Sequence, residues 1–297
     1  MPDRKPGGDI EPGLLTEYLT ADLGYFVRSA REFERFQSPF QTVEVHDTAP
    51  FGTLFRLDGH FMTSEKDEFF YHENLVHTAA ITHPAPEKAL IIGGGDGGSA
   101  EELLKYPTMK SVTLVEIDLA VIDIARKYFR AVHRGAFADP RLAIKLEDGF
   151  AFVRRATESY DLIVLDLTDP GGPSEALYTA DFYRACASRL NPTGAMTLHI
   201  ASPVAHPDRI RAGLANLRSA FAVVAPYLVS VPLYGGLWMM AFASATLNPA
   251  YLTPLDVNRR IAQRAVRDLQ YYNGDMHRAS FALPNFVREL VAAVQGT

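Results

Sequence analysis

Residues that alternate between apolar and polar side chains mark the first part of the chain. The alternation runs through residues 24 to 63, in segments such as YFVRSAREFERF, QTVEVHD and GTLFRLDG. Turn-forming pairs, among them Ser38-Pro39 and Asp58-Gly59, separate these segments. Alternation with a period of two places one face of a strand against a core and the other in water. The pattern therefore predicts a small N-terminal antiparallel β-domain, which we assign to residues 14–67.

Apolar spacing becomes helical from Glu68 to Ile81, and strands then alternate with helices through the rest of the chain. The predicted elements are strands at 88–92, 111–117, 142–146, 160–166 and 195–200, helices at 119–129, 149–155 and 180–189, a hairpin at 223–231 and 237–245, and further helices within 255–294. Such alternation predicts right-handed crossovers and a mainly parallel sheet. We therefore predict an α/β fold in which residues 68–297 form a Rossmann-like domain.

The composition narrows the classes of protein to which this chain can belong. Its 297 residues include 29 Lys and Arg against 35 Asp and Glu, for a net charge of −6, with no basic cluster that would favour nucleic acid. A single cysteine, Cys186, excludes an internal disulfide. No apolar run reaches the roughly 18 residues that a membrane span needs. Residues 1–13 lack an apolar signal core and are predicted to be disordered, so we expect a cytoplasmic protein without nucleic-acid or membrane partners.

A glycine-rich turn between a buried strand and a helix is the most informative motif. Residues 90–116 read LIIGGGDGGSAEELLKYPTMKSVTLVE, which is a strand, the turn, a helix and a second strand that ends in an acid. Glycine lets the backbone approach a ligand closely. Glu116 follows Asp96 by 20 residues, about where such units place the acid that holds ribose hydroxyls. This order favours adenosine as the ligand.

Asp96 lies inside that turn and changes which ligand the turn can hold. A dinucleotide site offers such a turn to a pyrophosphate, which an aspartate would repel. The same carboxylate would repel the amino-acid carboxylate of S-adenosylmethionine and would attract an ammonium group on an adenosine-linked tail. The alternative is that Asp96 only caps the helix that follows it.

Acidic residues follow four of the predicted parallel strands, at the end where open α/β sheets bind their ligands. They are Asp96, Glu116, Asp148, and the neighbours Asp166 and Asp169. Any one of them could be a solvated loop residue, but their common position predicts an acidic cleft. We expect no metal, because His72 and His77 are five residues apart and do not share a helix face as an i, i+4 pair of ligands would.

Several strings occur in an order that resembles the polyamine aminopropyltransferase family, of which spermidine synthase is the best-known member. They are FGTLFRLDG, EKDEFFYHE (65–73), IIGGGDGG (91–98), LVEID (114–118), EDG (147–149), DLTDPGGP (166–173) followed by LYTADFY, and YYNGDMHRASFALPNF (271–286). The resemblance covers nearly the whole chain from about Gly24. It implies a class I methyltransferase-like fold for the Rossmann-like domain and an enzyme that transfers an aminopropyl group.

The resemblance also implies the substrates and the residues that act on them. The donor would be decarboxylated S-adenosylmethionine, a co-substrate whose tail ends in an ammonium group, and no cofactor is expected. The acceptor would be an amine, most simply putrescine, giving spermidine and 5′-methylthioadenosine. Asp166 would remove a proton from the acceptor nitrogen, and Tyr71 would hydrogen-bond the same atom. Asp169 would anchor the acceptor's other ammonium group.

The other residues implied by the resemblance would contact the substrates. Glu116 would bind ribose, and Asp148 with Gly149 would bind the adenine edge. Three further residues stand where the family contacts its nucleoside or amine, namely Gln41, His72 and Pro173. Without the resemblance, Gln41 would be interpreted as an exposed strand residue and His72 as a histidine on a helix surface. The family is commonly dimeric or tetrameric, so we expect a homodimer or homotetramer.

Three positions near the acceptor-amine end depart from the family pattern. His199 stands where Gln or Glu is typical, Ala201 stands where an acid is typical, and Leu233 lies in a stretch that usually contains Tyr-Pro. These changes lower the negative charge and open volume, which favours acceptors beyond putrescine, such as the longer amine of thermospermine synthase-like sequences, agmatine or cadaverine. An S-adenosylmethionine-dependent methyltransferase and a catalytically silent polyamine-binding protein are the functions of other classes that stay open.

Overall fold

Two β-sheets, each built by a different part of the chain, organise the structure. The structure is a computed structural model that describes residues 13–170 and 172–294, apart from the side chain of Pro173. The tail predicted at residues 1–13 therefore lies, except for Gly13, outside the described residues.

The N-terminal sheet is antiparallel, and its five strands are neighbours in chain order. They are β1 (Leu14–Tyr18), β2 (Gly24–Gln37), β3 (Thr42–Thr48), β4 (Gly52–Leu57) and β5 (His60–Ser64). Asp58 and Gly59 connect β4 to β5 with positive φ angles of 50° and 84°, which suits the twist of a tight hairpin. The predicted N-terminal antiparallel sheet is confirmed.

The larger sheet has seven strands and is mainly parallel. In chain order they are β6 (Lys88–Gly93), β7 (Ser111–Glu116), β8 (Leu142–Leu146), β9 (Tyr160–Asp166), β10 (Leu190–Ala201), β11 (Val223–Val231) and β12 (Gly236–Ser244). Their order across the sheet is β11-β12-β10-β9-β6-β7-β8, in which only β12 runs against the other strands. The predicted Rossmann-like α/β fold is confirmed.

Helices cover both faces of this sheet. They are α1 (Glu68–Thr82), α2 (Gly98–Leu104), α3 (Leu119–Tyr128), α4 (Arg130–His133), α5 (Gly149–Arg155), α6 (Ala180–Ala187), α7 (Pro207–Arg218), α8 (Pro254–Gln263), α9 (Gly274–Ser280) and α10 (Asn285–Ala292). One hydrophobic core lies under α1, α2 and α8, and a second lies under α5, α6, α7 and α10. Among the described residues, no helix is both long and apolar enough to cross a bilayer.

The order of the central strands locates the ligand-binding edge of the larger sheet. From β6 the chain moves outward to β7 and β8, and it then returns to the other side of β6 to form β9. Ligands of open α/β sheets bind where the strand order reverses, beyond the carboxyl ends of the strands. At this point the loop after β6, which carries Asp96, meets the end of β9, where Asp166 lies.

The N-terminal sheet packs against the helices that follow β7. Val43 and Phe55 of this sheet share a core with Ile124 and Phe129 of the α3–α4 segment. β5 ends at Ser64 and α1 begins at Glu68, which brackets the predicted division of the chain. Apolar side chains pack across that division, and the assignment of residues 14–67 and 68–297 to two domains stays a prediction.

Helix α1 is buried on nearly all sides, since 13 of its 15 residues are buried. Its polar side chains therefore need partners inside the protein. Glu73 accepts hydrogen bonds from the backbone N–H groups of Gln270, Tyr271 and Tyr272 at 2.6, 2.9 and 2.7 Å. This carboxylate ties the segment before α9 to the central helix.

We predict that Glu73→Gln destabilises the fold by about 2–4 kcal/mol, because it removes the charge from three buried hydrogen bonds and turns an NH₂ group towards N–H donors. Urea unfolding followed by circular dichroism measures the loss. The matched control is Glu289→Gln on the exposed side of α10, which should change stability by no more than about 0.5 kcal/mol. Equal stabilities of the two variants would contradict the role of Glu73.

Candidate active site

A deep cleft opens where the loops after β6 and β9 meet the N-terminal sheet. It holds about 950 Å³ of free space including its open mouth, which is ample for a nucleoside. Eight of the residues proposed from the sequence line it, namely Gln41, Tyr71, His72, Asp96, Glu116, Asp148, Gly149 and Asp166. Asp169 lines a smaller adjoining chamber of about 370 Å³. The structure therefore brings nine of the ten predicted site residues together, and the side chain of the tenth, Pro173, lies outside the described part.

The glycine-rich turn after β6 packs directly against the end of β9. Gly94 N–H donates to the carbonyl oxygen of Asp166 at 2.8 Å. Gly93 has a φ angle of 79°, and a Cβ atom there would lie 2.1 Å from the same carbonyl oxygen. Only glycine fits at this position. The close approach brings the loop that carries Asp96 next to the strand end that carries Asp166.

His72 lies between these two carboxylates. Its Nε2 atom is 3.4 Å from Asp96 Oδ2 and 3.9 Å from Asp166 Oδ2. The imidazole is buried, with 2% of its side-chain surface exposed, and the two carboxylates are only 13% and 10% exposed. His72 is therefore not the helix-surface histidine that the sequence alone suggested, because α1 is covered on the side from which it projects.

Burial and the neighbouring charges shift the pKa values of all three groups. Burial raises the pKa of Asp166, and the Asp96 charge raises it further against the opposing effect of His72. Burial acts in the same direction on Asp96, but His72 and the Gly98 N–H outweigh it and lower that pKa. Burial disfavours a charged His72, yet the surrounding carboxylates outweigh it and hold the pKa of His72 well above its usual value. These shifts favour the protonated imidazole of His72 and the ionised carboxylate of Asp96, and they make Asp166 a stronger base than an ordinary aspartate.

Further residues that the sequence analysis did not select hold this group in place. Glu68 accepts from His72 Nδ1 at 2.8 Å, and Arg134 lies 3.7 Å from the other Glu68 oxygen. Ser99 Oγ donates to Asp166 Oδ2 at 2.7 Å. Glu68 is four residues before His72, so helical spacing was a signal that could have identified it.

The same three side chains could hold a metal ion, since ligand atoms of His72, Asp96 and Asp166 lie within 4.8 Å of one another. The prediction that no metal binds rested only on the spacing of His72 and His77, whereas these three side chains come from separate segments of the chain. An imidazole must be neutral to bind a metal. The raised pKa of His72 opposes that state.

The end of the cleft for which the sequence predicts a nucleoside is formed by the loops after β7 and β8. Glu116 Oε1 accepts from the Asp118 N–H at 2.9 Å, and Gln41 Nε2 donates to Asp118 Oδ2 at 3.0 Å. Burial raises the pKa of Glu116 to about 7, although backbone N–H groups oppose the shift. Asp148 caps α5 by accepting from the Ala151 N–H at 2.7 Å, which fixes the wall of the cleft there. Gln41 is thus held in place by a neighbouring loop and is not an exposed strand residue.

Tyr71 marks the boundary between the cleft and the adjoining chamber. Its hydroxyl group is 3.0 Å from His199 Nδ1, and burial raises its pKa well above the usual value, so it stays protonated. His199 Nε2 lies 3.2 Å from Asp169 Oδ1. The smaller chamber is lined by Glu17, Tyr25, His60, Phe61, Met62, Leu167, Thr168, Asp169, His199, Tyr234 and Trp238. Met62, Leu167, Thr168 and Tyr234 line both spaces, so the two are continuous.

Only one of the three departures from the family pattern reaches this chamber. His199 lines it, but Ala201 and Leu233 are buried in hydrophobic clusters and are not among the lining residues. Leu233 donates its backbone N–H to Asp67 Oδ2 at 2.8 Å and points its side chain into the core of the N-terminal sheet. The expectation that all three residues open the amine end is therefore wrong.

Comparison with known proteins agrees with the resemblance found in the sequence. The family model of the spermine/spermidine synthase domain matches residues 68–252. A polyamine aminopropyltransferase of Nitrosomonas europaea is 49% identical over 93% of this chain and 85% of its own length. One from Moorella thermoacetica is 39% identical over 94% and 96%.

Solved structures give the same result for the fold. A spermidine synthase in complex with the transition-state analogue AdoDATO superposes with a TM-score of 0.89 at 36% identity, over 94% of this chain and 95% of that chain. The spermidine synthase of Thermotoga maritima gives 0.85 at 34% identity, over 94% of each chain. With the family model matching more than half of its residues, the chain belongs to the spermine/spermidine synthase family and is an enzyme of the polyamine aminopropyltransferase kind, as the two relatives named above are.

Proposed function

We propose that this enzyme transfers the aminopropyl group of decarboxylated S-adenosylmethionine to putrescine, giving spermidine and 5′-methylthioadenosine. The observation that carries the proposal is the pair of largely covered carboxylates, Asp96 and Asp166, where the larger cleft adjoins the second chamber. Both substrates carry ammonium groups, and an anionic pair with little access to water attracts such groups strongly.

The donor would lie along the larger cleft with its tail towards the carboxylate pair. Glu116, at the end of β7, is placed to accept from the ribose hydroxyls, and Asp148 with Gly149 to contact the adenine edge. Asp96 would then receive the ammonium group of the tail. S-adenosylmethionine would bring a carboxylate into the same space, where the ionised Asp96 repels it.

The reaction needs a base, because an amine with a pKa of about 10 is mostly protonated at neutral pH and has no lone pair to offer. Asp166 would take that proton, and its raised pKa makes it a stronger base than an ordinary aspartate. The freed lone pair attacks the methylene carbon bonded to sulfur. The C–S bond breaks, its electron pair goes to sulfur, and the sulfonium becomes the neutral thioether of 5′-methylthioadenosine.

The acceptor would reach Asp166 through the smaller chamber. Tyr71 lies between the two spaces and would accept a hydrogen bond from the attacking nitrogen, which helps to align it with the C–S bond. Asp169 would contact the far end of the acceptor. A homodimeric or homotetrameric assembly, a cytoplasmic location and the lack of a cofactor stay predictions.

The acceptor is tested by incubating the enzyme with decarboxylated donor and, separately, putrescine, cadaverine, agmatine, spermidine and norspermidine. Mass spectrometry then measures each aminopropylated product and 5′-methylthioadenosine. We expect turnover of putrescine, with at least one other amine within about tenfold in kcat/KM, a gap of ~1.4 kcal/mol. Turnover of another amine without putrescine would reject putrescine and keep aminopropyl transfer. No methylthioadenosine with any amine would reject both.

Asp166→Asn should lower kcat by about 10²-fold or more, since it removes the base and keeps the size of the side chain. The donor should still bind, because Asp166 is assigned to the acceptor. Single-turnover kinetics measures the chemical step, and calorimetry measures donor binding. A variant with nearly unchanged kcat at neutral pH would remove Asp166 from the role of base.

Asp96→Asn should weaken binding of the decarboxylated donor and narrow its advantage over S-adenosylmethionine. A charge pair at this depth is worth a few kcal/mol at most, so discrimination of roughly 10- to 1000-fold depends on it. Calorimetric titration of both nucleosides into both proteins measures the effect. If the unmutated protein binds the two nucleosides equally, Asp96 does not select the donor.

Donor affinity should fall as the pH drops from 8 to 6. The pKa of Glu116 is about 7, so its carboxylate gains a proton over this range and accepts hydrogen bonds from the ribose less well. One such proton weakens binding about tenfold over this range. Glu116→Gln should abolish this dependence. Glu101 provides a matched control, because its pKa is also raised to about 7 but it does not line the cleft. Glu101→Gln should keep the pH dependence, and its loss in that variant would contradict the assignment.

A further inference from the structure

The smaller chamber contains two carboxylates, and both already have partners. Glu17 Oε1 lies 3.1 Å from His60 Nδ1, and its other oxygen accepts from the Phe61 N–H at 2.9 Å. Asp169 lies 3.2 Å from His199 Nε2 and 3.6 Å from the guanidinium group of Arg209. An acceptor's second ammonium group must therefore compete with groups of the protein itself.

The hydrogen bonds of His199 link this far end of the chamber to the reacting end. The Tyr178 hydroxyl donates to the Thr168 carbonyl at 2.9 Å, so its oxygen accepts from His199 Nε2, 3.0 Å away. Nε2 therefore carries a hydrogen, which also faces Asp169. The other ring nitrogen, Nδ1, lies 3.0 Å from the Tyr71 hydroxyl. The result is a chain of hydrogen bonds from Tyr71 through His199 to Asp169.

This chain holds the Tyr71 hydroxyl between His199 and Asp166, beside the space that the attacking amine nitrogen would occupy. In a site that left Asp169 unpaired, the distal ammonium of a diamine would have to balance that charge. Here the Arg209 guanidinium group supplies a positive charge close to Asp169, and His199 Nε2 faces the same carboxylate at 3.2 Å.

Resting on the proposed function, we propose that His199 is a specificity-determining residue of the acceptor site. By pairing with Asp169 on one side and holding Tyr71 on the other, it replaces part of the contribution of a second ammonium group. The acceptor class is thereby extended to primary amines whose far end is uncharged.

The test compares putrescine with n-butylamine, which has the same carbon chain and lacks only the second nitrogen. The ratio of their kcat/KM values, measured from methylthioadenosine release at saturating decarboxylated donor, should be within about tenfold in the unmutated enzyme. His199→Gln keeps a hydrogen-bonding side chain but cannot bridge both partners as the imidazole does. We expect it to raise the ratio by at least about tenfold, through a lower KM for putrescine and a lower kcat for n-butylamine.

Arg209→Gln is a second variant, chosen because Arg209 is 42% exposed and tolerates change, so it decides the matter if His199→Gln does not fold. This substitution removes the Arg209 guanidinium group from Asp169. It should raise the ratio of kcat/KM for putrescine to that for n-butylamine by roughly threefold. Arg211→Gln, on the same helix and paired with Asp208, is the matched control and should leave the ratio unchanged.

A ratio above a hundred in the unmutated enzyme, or one that neither variant changes, would overturn the role of His199. In those cases methylthioadenosine would still form with putrescine, and the proposed function would stand. Release of no methylthioadenosine with any amine would instead overturn the proposed function.

Discussion

Two carboxylates held out of water beside each other impose the main constraint on this structure. Taking an ion out of water costs several kcal/mol, so Asp96 and Asp166 need a compensating cation close by. His72 supplies it from helix α1, and Glu68 and Arg134 hold His72 in turn. The glycine-rich turn and the buried position of α1 both serve this arrangement. With one imidazole beside two carboxylates, this cluster keeps the net negative charge that substrates with ammonium groups need.

The fold and the acidic strand ends could be predicted because they depend on local patterns: period-two alternation, strand–helix alternation and an acid at the end of four of the parallel strands. Contacts between segments that are distant in sequence could not be predicted from local patterns. His72 is buried only because α1 is covered by later parts of the chain. His199 and Ala201 are two residues apart and would share a face of a regular strand, but the register of β10 shifts between them. That irregularity separates their environments, and sequence alone gives no sign of it.

Residues of both sheets line the smaller chamber, which we propose for the acceptor, and this is why local sequence patterns could not predict it. The N-terminal sheet contributes Glu17 and His60, while β10 contributes His199 and the loop after β9 contributes Asp169. Neither His199 nor Asp169 is close in sequence to Glu17 or His60. The packing of the two sheets therefore brings these residues to one chamber. The catalytic end is more local, because the loops after two adjacent parallel strands form it. The residues proposed to act on the donor can therefore be predicted from the sequence more directly than the residues that select the acceptor.

The most direct test of this account is a product analysis with both possible donors. The enzyme is incubated with putrescine and either decarboxylated S-adenosylmethionine or S-adenosylmethionine, and the nucleoside products are identified by mass spectrometry. The account predicts 5′-methylthioadenosine and spermidine in equal amounts from the decarboxylated donor, with at least about tenfold slower turnover of the other, as expected for repulsion by Asp96. Methylated amine and S-adenosylhomocysteine from S-adenosylmethionine, without aminopropyl transfer from the decarboxylated donor, would contradict it.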